Sequence, residues 1–273
     1  MNQRETALAC LLSVITAGAT VPLPVAADGK IEFEGVPVPE ADAEKRQVFS
    51  APSVDIKNKI SGEKGTYETG YQVIMRSGDA SLNGGPFGML TDINGKPIPG
   101  VDGSPVISQS TDFSSLHPSG KTDKDGKPIV WNVTHFEDRP GAMYLSKLVQ
   151  DTETGVLTPV KTRPIDFSSV RGTWVNCAGS VSPWGTHLGS EEYEPDASLL
   201  QEDGSMPTHE LWESMARYFP AEEGQEPVPG AGWPFSPYDY GYTVEVKVKN
   251  FEDVEVAKHY AMGRYAVEVP FVA

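Results

Sequence analysis

Residues 171–192 read RGTWVNCAGSVSPWGTHLGSEE, and this stretch indicates two short strands joined by a tight loop. The first strand is predicted over residues 172–176. The Gly, Ser and Pro residues that follow it allow the backbone to turn sharply. The second strand is predicted over residues 185–189. Such strand-loop-strand units are typical of antiparallel β structure.

The two ends of this unit carry side chains that bind metals. Cys177 follows the first predicted strand, and Glu191 and Glu192 follow the second. Strands joined in this way can bring the thiolate and the carboxylates to one edge of a sheet. Soft sulfur beside hard oxygen suits a transition metal, and calcium suits the carboxylates. A turn with a buried thiol and a solvated acidic pair is the alternative.

The rest of the chain contains further short apolar runs separated by turns. Strands are predicted over residues 71–75, 129–134, 143–145, 242–248 and 254–260. One helix is predicted from about Thr208 to Tyr218, because Leu211, Met215 and Tyr218 repeat at helical spacing.

A weak internal repeat bears on the architecture. Asn132 and Asn176 both end a Trp-containing strand pattern, and a spacing of this size is typical of propeller blades. We therefore predict an all-β fold, a partial β-propeller with a short helical insertion, over residues 65–273. A β-sandwich is the alternative.

The composition limits the possible partners. The chain has 273 residues, of which 38% are hydrophobic, enough for a folded core. Its 38 acidic residues outnumber its 22 basic ones, giving a net charge of −16. Nucleic acids and anionic membranes need clustered Lys and Arg, so neither is expected as a partner. We expect a monomer that gathers divalent cations.

The N-terminal region resembles an export signal. Residues 8–25 carry no charge, and Val25-Ala26-Ala27 forms a small-residue cleavage site, so residues 1–27 are predicted to be a signal peptide. A membrane anchor is the alternative. The protein is then expected in the periplasm or outside the cell, with no membrane span after cleavage. Residues 28–64 are acidic and Pro-rich, and are predicted to form an extended arm.

Common catalytic motifs are absent from the sequence. Cys10 would be removed with the signal, so Cys177 remains as a single thiol without a disulfide partner. The five histidines are scattered, and none lies three or four residues from another. A classical zinc site or a Ser-His-Asp triad therefore has little support.

Three stretches resemble the PhoX-type alkaline phosphatases. The pattern Asn-Cys-Ala-Gly-x-x-x-Pro-Trp-Gly-Thr-x-Leu-x-x-Glu-Glu, at residues 176–192, is similar to the family signature. Residues 240–246 and 259–268 are similar to a family strand and to the family's Leu-Gly-Arg-Phe-x-His-Glu. A weaker likeness begins at residues 132–137.

The resemblance implies a β-propeller phosphatase that hydrolyses phosphate monoesters with an iron and calcium cluster. The family's iron-binding cysteine falls on Cys177, and its carboxylate ligands fall on Glu191 or Glu192 and on Glu268. Arg264 is the candidate catalytic residue, through contact with the phosphate group. A structural ion pair of Arg264 is the alternative.

Three features differ from the family pattern. Val267 stands where the family has His, no twin-arginine pair precedes the apolar segment, and the chain ends five residues after Glu268. The chain is therefore expected to be an N-terminal portion of a family member. A non-catalytic extracytoplasmic propeller-like protein, and a different hydrolase such as a lactonase or phytase-like enzyme, remain alternatives.

Overall fold

The structure of the protein is a computed structural model. It describes residues 15–16, 29–33, 35–46, 53–59, 61–81, 84–204, 206, 214–220 and 234–273. The chain divides into two compact units. The first contains residues 1–74, 118–130 and 148–159, and the second contains residues 75–117, 131–147 and 160–273.

One four-stranded antiparallel sheet lies in the first unit, with the strand order β1-β4-β3-β2. Its strands are β1 (Ile15–Thr16), β2 (Gly29–Phe33), β3 (Ser53–Asn58) and β4 (Lys64–Thr69), and helix α1 (Asp42–Lys45) follows β2. Val54 and Ile56 alternate along β3, and both are buried against Ile31 and Tyr67. This period of two selects a strand with one apolar face.

A second sheet has the strands in chain order. They are β5 (Thr111–Thr122), β6 (Pro128–Phe136), β7 (Ala142–Gln150) and β8 (Leu157–Pro164). β5 and β6 are joined by a tight turn in which the Asp123 carboxylate accepts hydrogen bonds from the backbone N–H groups of Asp125 and Lys127. Gly126 there has φ = +80°, a conformation that favours glycine.

The third sheet lies in the second unit, with the antiparallel order β12-β11-β10-β9. Its strands are β9 (Gly179–Val181), β10 (His187–Gly189), β11 (Val244–Val248) and β12 (Val254–Lys258). Beside it, Trp174 and Tyr240 are fully buried in an apolar cluster with Phe235 and Met215. Single turns of 3-10 helix occur at Ser168–Val170, Ala197–Leu199, Pro237–Asp239 and Tyr260–Met262.

The prediction of a mostly β chain is confirmed. The part of the chain that the structure describes has three antiparallel sheets, none of them closed, so the propeller stays a prediction. Strands β6, β7, β10, β11 and β12 lie where strands were predicted.

Two predicted strands, at 71–75 and 172–176, are not formed. In the second of them Val175 has φ = 44°, which takes the backbone out of the extended region. The predicted helix lies mostly outside the described residues, but residues 214–216 are helical.

The predicted N-terminal segments are described only in part. Residues 15–16, inside the predicted signal peptide, pair with Glu68 and Thr69 as β1, and the remainder of residues 1–27 lies outside the described part. Residues 28–64, expected to be an extended arm, contain β2 and β3, which pair with each other. No helix among the described residues is long and apolar enough to cross a membrane.

Candidate metal centre

Two carboxylates and one thiol meet in the second unit. The ligand atoms of Asp112, Glu137 and Cys177 all lie within 4.8 Å of one another. Asp112 is the second residue of β5, and Glu137 directly follows β6, the neighbouring strand. The start of one antiparallel strand lies beside the end of the next, which explains why the two carboxylates share one edge.

Cys177 is brought to this edge by a segment without regular strand structure. The N–H of Val175 donates to the carbonyl of Asp138 at 3.0 Å, and the N–H of Glu192 donates to the carbonyl of Val175 at 3.0 Å. These backbone bonds hold the segment before Cys177 between the loop after β6 and the residues after β10. The Cys177 Sγ donates to Oδ2 of Asp112 at 3.5 Å.

The electrostatics of this cluster are unfavourable for negative charge. Burial, with smaller contributions from Asp112 and Glu192, raises the pKa of the Cys177 thiol to about 12. Burial also raises the pKa of Glu137, and the charges of Asp112, Glu192 and Glu268 act in the same direction. A bound cation would relieve this crowding.

The comparisons with known proteins agree with this chemistry. Residues 150–272 match the family model described as alkaline phosphatase PhoX. This confirms the resemblance over the C-terminal part of the chain, which includes Cys177 but neither Asp112 nor Glu137. No curated protein and no solved structure matches the chain. That the chain is an N-terminal portion of a PhoX protein stays a prediction.

Two of the ligands predicted from the PhoX resemblance act on the cluster. The half-buried Glu192 carboxylate raises the pKa of the Cys177 thiol. The exposed Glu268 side chain adds negative charge that raises the pKa of Glu137. The Glu268 backbone is held in place, because its carbonyl accepts a hydrogen bond from Oγ of Ser190 at 2.6 Å.

The third predicted carboxylate, Glu191, lies in a different environment. Its side chain is fully buried, and Oε1 accepts from Nζ of Lys258 at 2.9 Å and from the N–H of Trp174 at 3.0 Å. Oε2 accepts from the N–H groups of Gly241 and Tyr242 at 2.9 and 3.2 Å. Four donors therefore saturate Glu191, and the structure does not bring it into the group formed by Asp112, Glu137 and Cys177.

The predicted catalytic residue, Arg264, is occupied by backbone contacts. Its Nε donates to the carbonyls of Tyr240 and Pro237 at 2.8 and 3.1 Å, and its Nη2 donates to the carbonyl of Pro195. The guanidinium also lies 5.9 Å from the centre of the Tyr238 ring. These contacts tie the segment after β12 to the loops before β11.

Sequence reasoning missed two of the three cluster residues. Glu137 ends the weakest of the PhoX-like stretches, residues 132–137, so a signal for it was present. Asp112 belongs to no motif, and only the pairing of β5 with β6 reveals it.

Three of the histidines that are scattered along the sequence meet in the structure. His117, His135 and His187 are all buried; His135 bonds directly to His187, and Ser115 links His187 to His117. His259 is half-buried and pairs with Glu245 at 2.8 Å.

Proposed function

We propose that this protein is a metal-dependent phosphatase of the PhoX type that hydrolyses phosphate monoesters. The observation that carries the proposal is the cluster of one thiol and two carboxylates, in a chain whose residues 150–272 match the PhoX family model. The family supports the reaction class, and the cluster supports a need for cations.

The donor set of the cluster fits the metals expected for the family. Cys177, Asp112 and Glu137 would be the inner ligands, with Glu192 and Glu268 beside them. A thiolate combined with carboxylates suits iron, and carboxylates alone suit calcium. When bound, such cations supply the positive charge that holds a phosphate ester and stabilises charge in its transition state.

The negative charge of the protein increases its need for bound cations. With a net charge of −16, the protein repels phosphate esters unless positive charge is concentrated at the site. The role of the protein residues is therefore to hold the cations at fixed positions and to orient the ester between them. Function outside the cytoplasm belongs to the proposal, because the predicted signal over residues 1–27 would direct export.

The second candidate is a non-catalytic extracytoplasmic binding or structural protein. The contacts of Arg264 and Glu191 favour it, since the predicted catalytic residue and one predicted metal ligand instead hold backbone segments. The two candidates differ in whether the protein binds iron or calcium and turns over a phosphate ester.

The experiment measures metal content and turnover together. The purified full chain is analysed for iron and calcium, and hydrolysis of p-nitrophenyl phosphate is followed before and after chelation. We expect bound metal and turnover that chelation abolishes. Cys177→Ser should lose iron and reduce turnover at least about 100-fold, beyond the effect of losing an outer-shell contact.

A matched control separates ligand loss from a general effect of charge. Glu153→Gln changes an exposed carboxylate in a turn and should leave metal content and turnover unchanged. Folded wild-type protein without iron and calcium, and without turnover, would instead support the non-catalytic candidate.

A further inference from the structure

We infer that His135 and His187 are positioning residues that fix Cys177 and the two neighbouring carboxylates in the geometry needed for metal binding. The inference rests on the proposed function, since it assigns how that same site is held. It concerns residues for which the sequence predicted no role, since His135 lies in the weakest PhoX-like stretch and His187 at a variable position of the pattern at 176–192.

The geometry is a continuous chain of buried hydrogen bonds. Nε2 of His135 lies 2.6 Å from Nε2 of His187, and Nδ1 of His187 lies 2.7 Å from Oγ of Ser115. Oγ of Ser115 lies 2.6 Å from Nε2 of His117. At the other end, Nδ1 of His135 bonds to the backbone carbonyl of Cys177. The chain therefore ends on the residue that carries the candidate metal-binding thiol.

The chemistry of the groups gives this chain a direction. The Cys177 carbonyl can only accept, so Nδ1 of His135 carries the proton and, in a neutral ring, Nε2 accepts. His187 must then donate through Nε2 and accept at Nδ1 from the hydroxyl of Ser115. The links from the Cys177 carbonyl to Ser115 are satisfied by neutral rings, as expected where burial disfavours the charged form. Buried hydrogen bonds of this kind rigidify their surroundings.

The histidine pair contacts the segments that carry all three cluster residues. His135 lies in β6, two residues before Glu137. The ring of Phe113, the neighbour of Asp112, lies 5.7 Å from the His135 ring and 5.6 Å from the His187 ring. Together with the bond to Cys177, these contacts connect one rigid pair to every member of the cluster.

The His135 ring packs closely against the backbone of β10. A Cβ added to Gly189 would lie 2.8 Å from Cε1 and Nε2 of His135. The glycine is therefore required for the His135 ring to reach His187. The rings do not form a metal site of their own, because the two Nε2 atoms are at hydrogen-bond distance. Two ligands of a tetrahedral zinc ion, each about 2.0–2.1 Å from the metal, would be more than about 3 Å apart.

The test compares variants that keep or remove the bond to Cys177. His135→Leu removes it, whereas His135→Asn offers an amide N–H near the position of Nδ1. His187→Gln keeps a polar group that can reach His135. His259→Gln is the control, since His259 lies outside the chain of hydrogen bonds. Urea unfolding verifies that each variant is folded.

Two measurements report on positioning without enzyme turnover. In protein freed of metal by a chelator, the rate of iodoacetamide alkylation at Cys177 is followed by mass spectrometry. Only the peptide that contains Cys177 is measured, so alkylation of Cys10 does not contribute. In metal-loaded protein, iron affinity and the thiolate-to-iron absorption band are recorded. We expect His135→Leu to speed alkylation and to weaken iron binding about 10- to 100-fold, the range for outer-shell partners. His135→Asn should recover most of both losses.

The outcomes separate this inference from the proposed function. If wild-type protein binds no iron, the proposed function fails, while the alkylation rates still decide whether His135 positions the thiol. Folded His135→Leu with wild-type alkylation and wild-type iron affinity would overturn the inference alone. If His135→Leu does not fold, His187→Leu is compared with His187→Gln and His259→Gln, and equal values for all three variants would overturn the inference.

Discussion

Two acidic regions of the second unit deal with negative charge in opposite ways. The buried Glu191 carboxylate receives Lys258 and three backbone N–H groups, so its charge is compensated within the protein. The cluster of Asp112, Glu137 and Cys177 has no Lys or Arg ion pair among the described residues. Arg139 opposes the raised pKa of Glu137 but forms no ion pair with it, so the proposed cation would supply further compensation.

Two residues that are adjacent in sequence belong to different regions. Glu191 and Glu192 are adjacent, yet the first is fully buried in an ion pair and the second is half-buried and raises the pKa of the Cys177 thiol. The comparison teaches that Glu191 maintains the fold around the site, whereas the proposed cation would act at the cluster.

The largest expected effect comes from breaking the internal pair. Lys258→Met leaves the fully buried Glu191 carboxylate without its cation, and removal of one partner of a buried pair costs about 3–5 kcal/mol. Urea unfolding of the metal-free protein measures the loss. Lys249→Met is the control, because Lys249 forms an exposed pair with Glu255, for which the loss should be below about 1 kcal/mol. Equal losses for the two variants would contradict the distinction between the regions.

A smaller loss of stability is expected at low pH, where the buried and neutral His117 should become protonated. Burial lowers the pKa of His117 from 6.5 to about 4, although a hydrogen bond with the Gly185 backbone opposes this shift. Between these values the unfolded chain binds more protons than the folded chain, so stability falls as the pH is lowered. For His117 alone the loss is about 2 kcal/mol between about pH 7 and about pH 5.

Urea unfolding at several pH values in the presence of a chelator measures this slope. His117→Asn should reduce the slope, since the amide does not titrate in this range. A slope that is the same in wild-type protein and in His117→Asn would show that the pKa of His117 is the same in the folded and unfolded states.

The sequence analysis predicted one part of this picture and could not predict the rest. Alternating apolar residues identified β11, and the family signature identified Cys177. The separate fates of Glu191 and Glu192 depend on Lys258, whose approach requires β10, β11 and β12 to pair. Spacing along the chain contains no such information.

The histidine chain was hidden for the same reason. His117 and His135 lie in neighbouring strands β5 and β6, whereas His187 lies in β10 of another sheet, so their rings meet only through tertiary contacts between the two sheets. The failed strand at residues 172–176 has a local cause, because the left-handed Val175 is set by contacts with Asp138 and Glu192 rather than by β propensity.

The smallest expected effect is the change in stability of Glu137→Gln. Its sign should be opposite to that of the same substitution at Glu191. Glu137→Gln removes one of several like charges, and two unit charges about 5 Å apart in a high dielectric repel by about 1 kcal/mol. In chelator the variant should therefore be equal to wild type or up to about 1 kcal/mol more stable. Glu191→Gln should be less stable, because it leaves Lys258 unpaired.

With added calcium, Glu137→Gln should become less stable than wild type. A ligand that binds only the folded state raises stability in proportion to the logarithm of its concentration over its dissociation constant, so loss of one carboxylate ligand reduces that gain. Urea unfolding in chelator and in excess calcium measures both states, with Glu153→Gln as a control that should show neither effect. If Glu137→Gln is destabilised in chelator as Glu191→Gln is, then Glu137 is compensated within the protein, and the cluster does not need a cation to balance its charge.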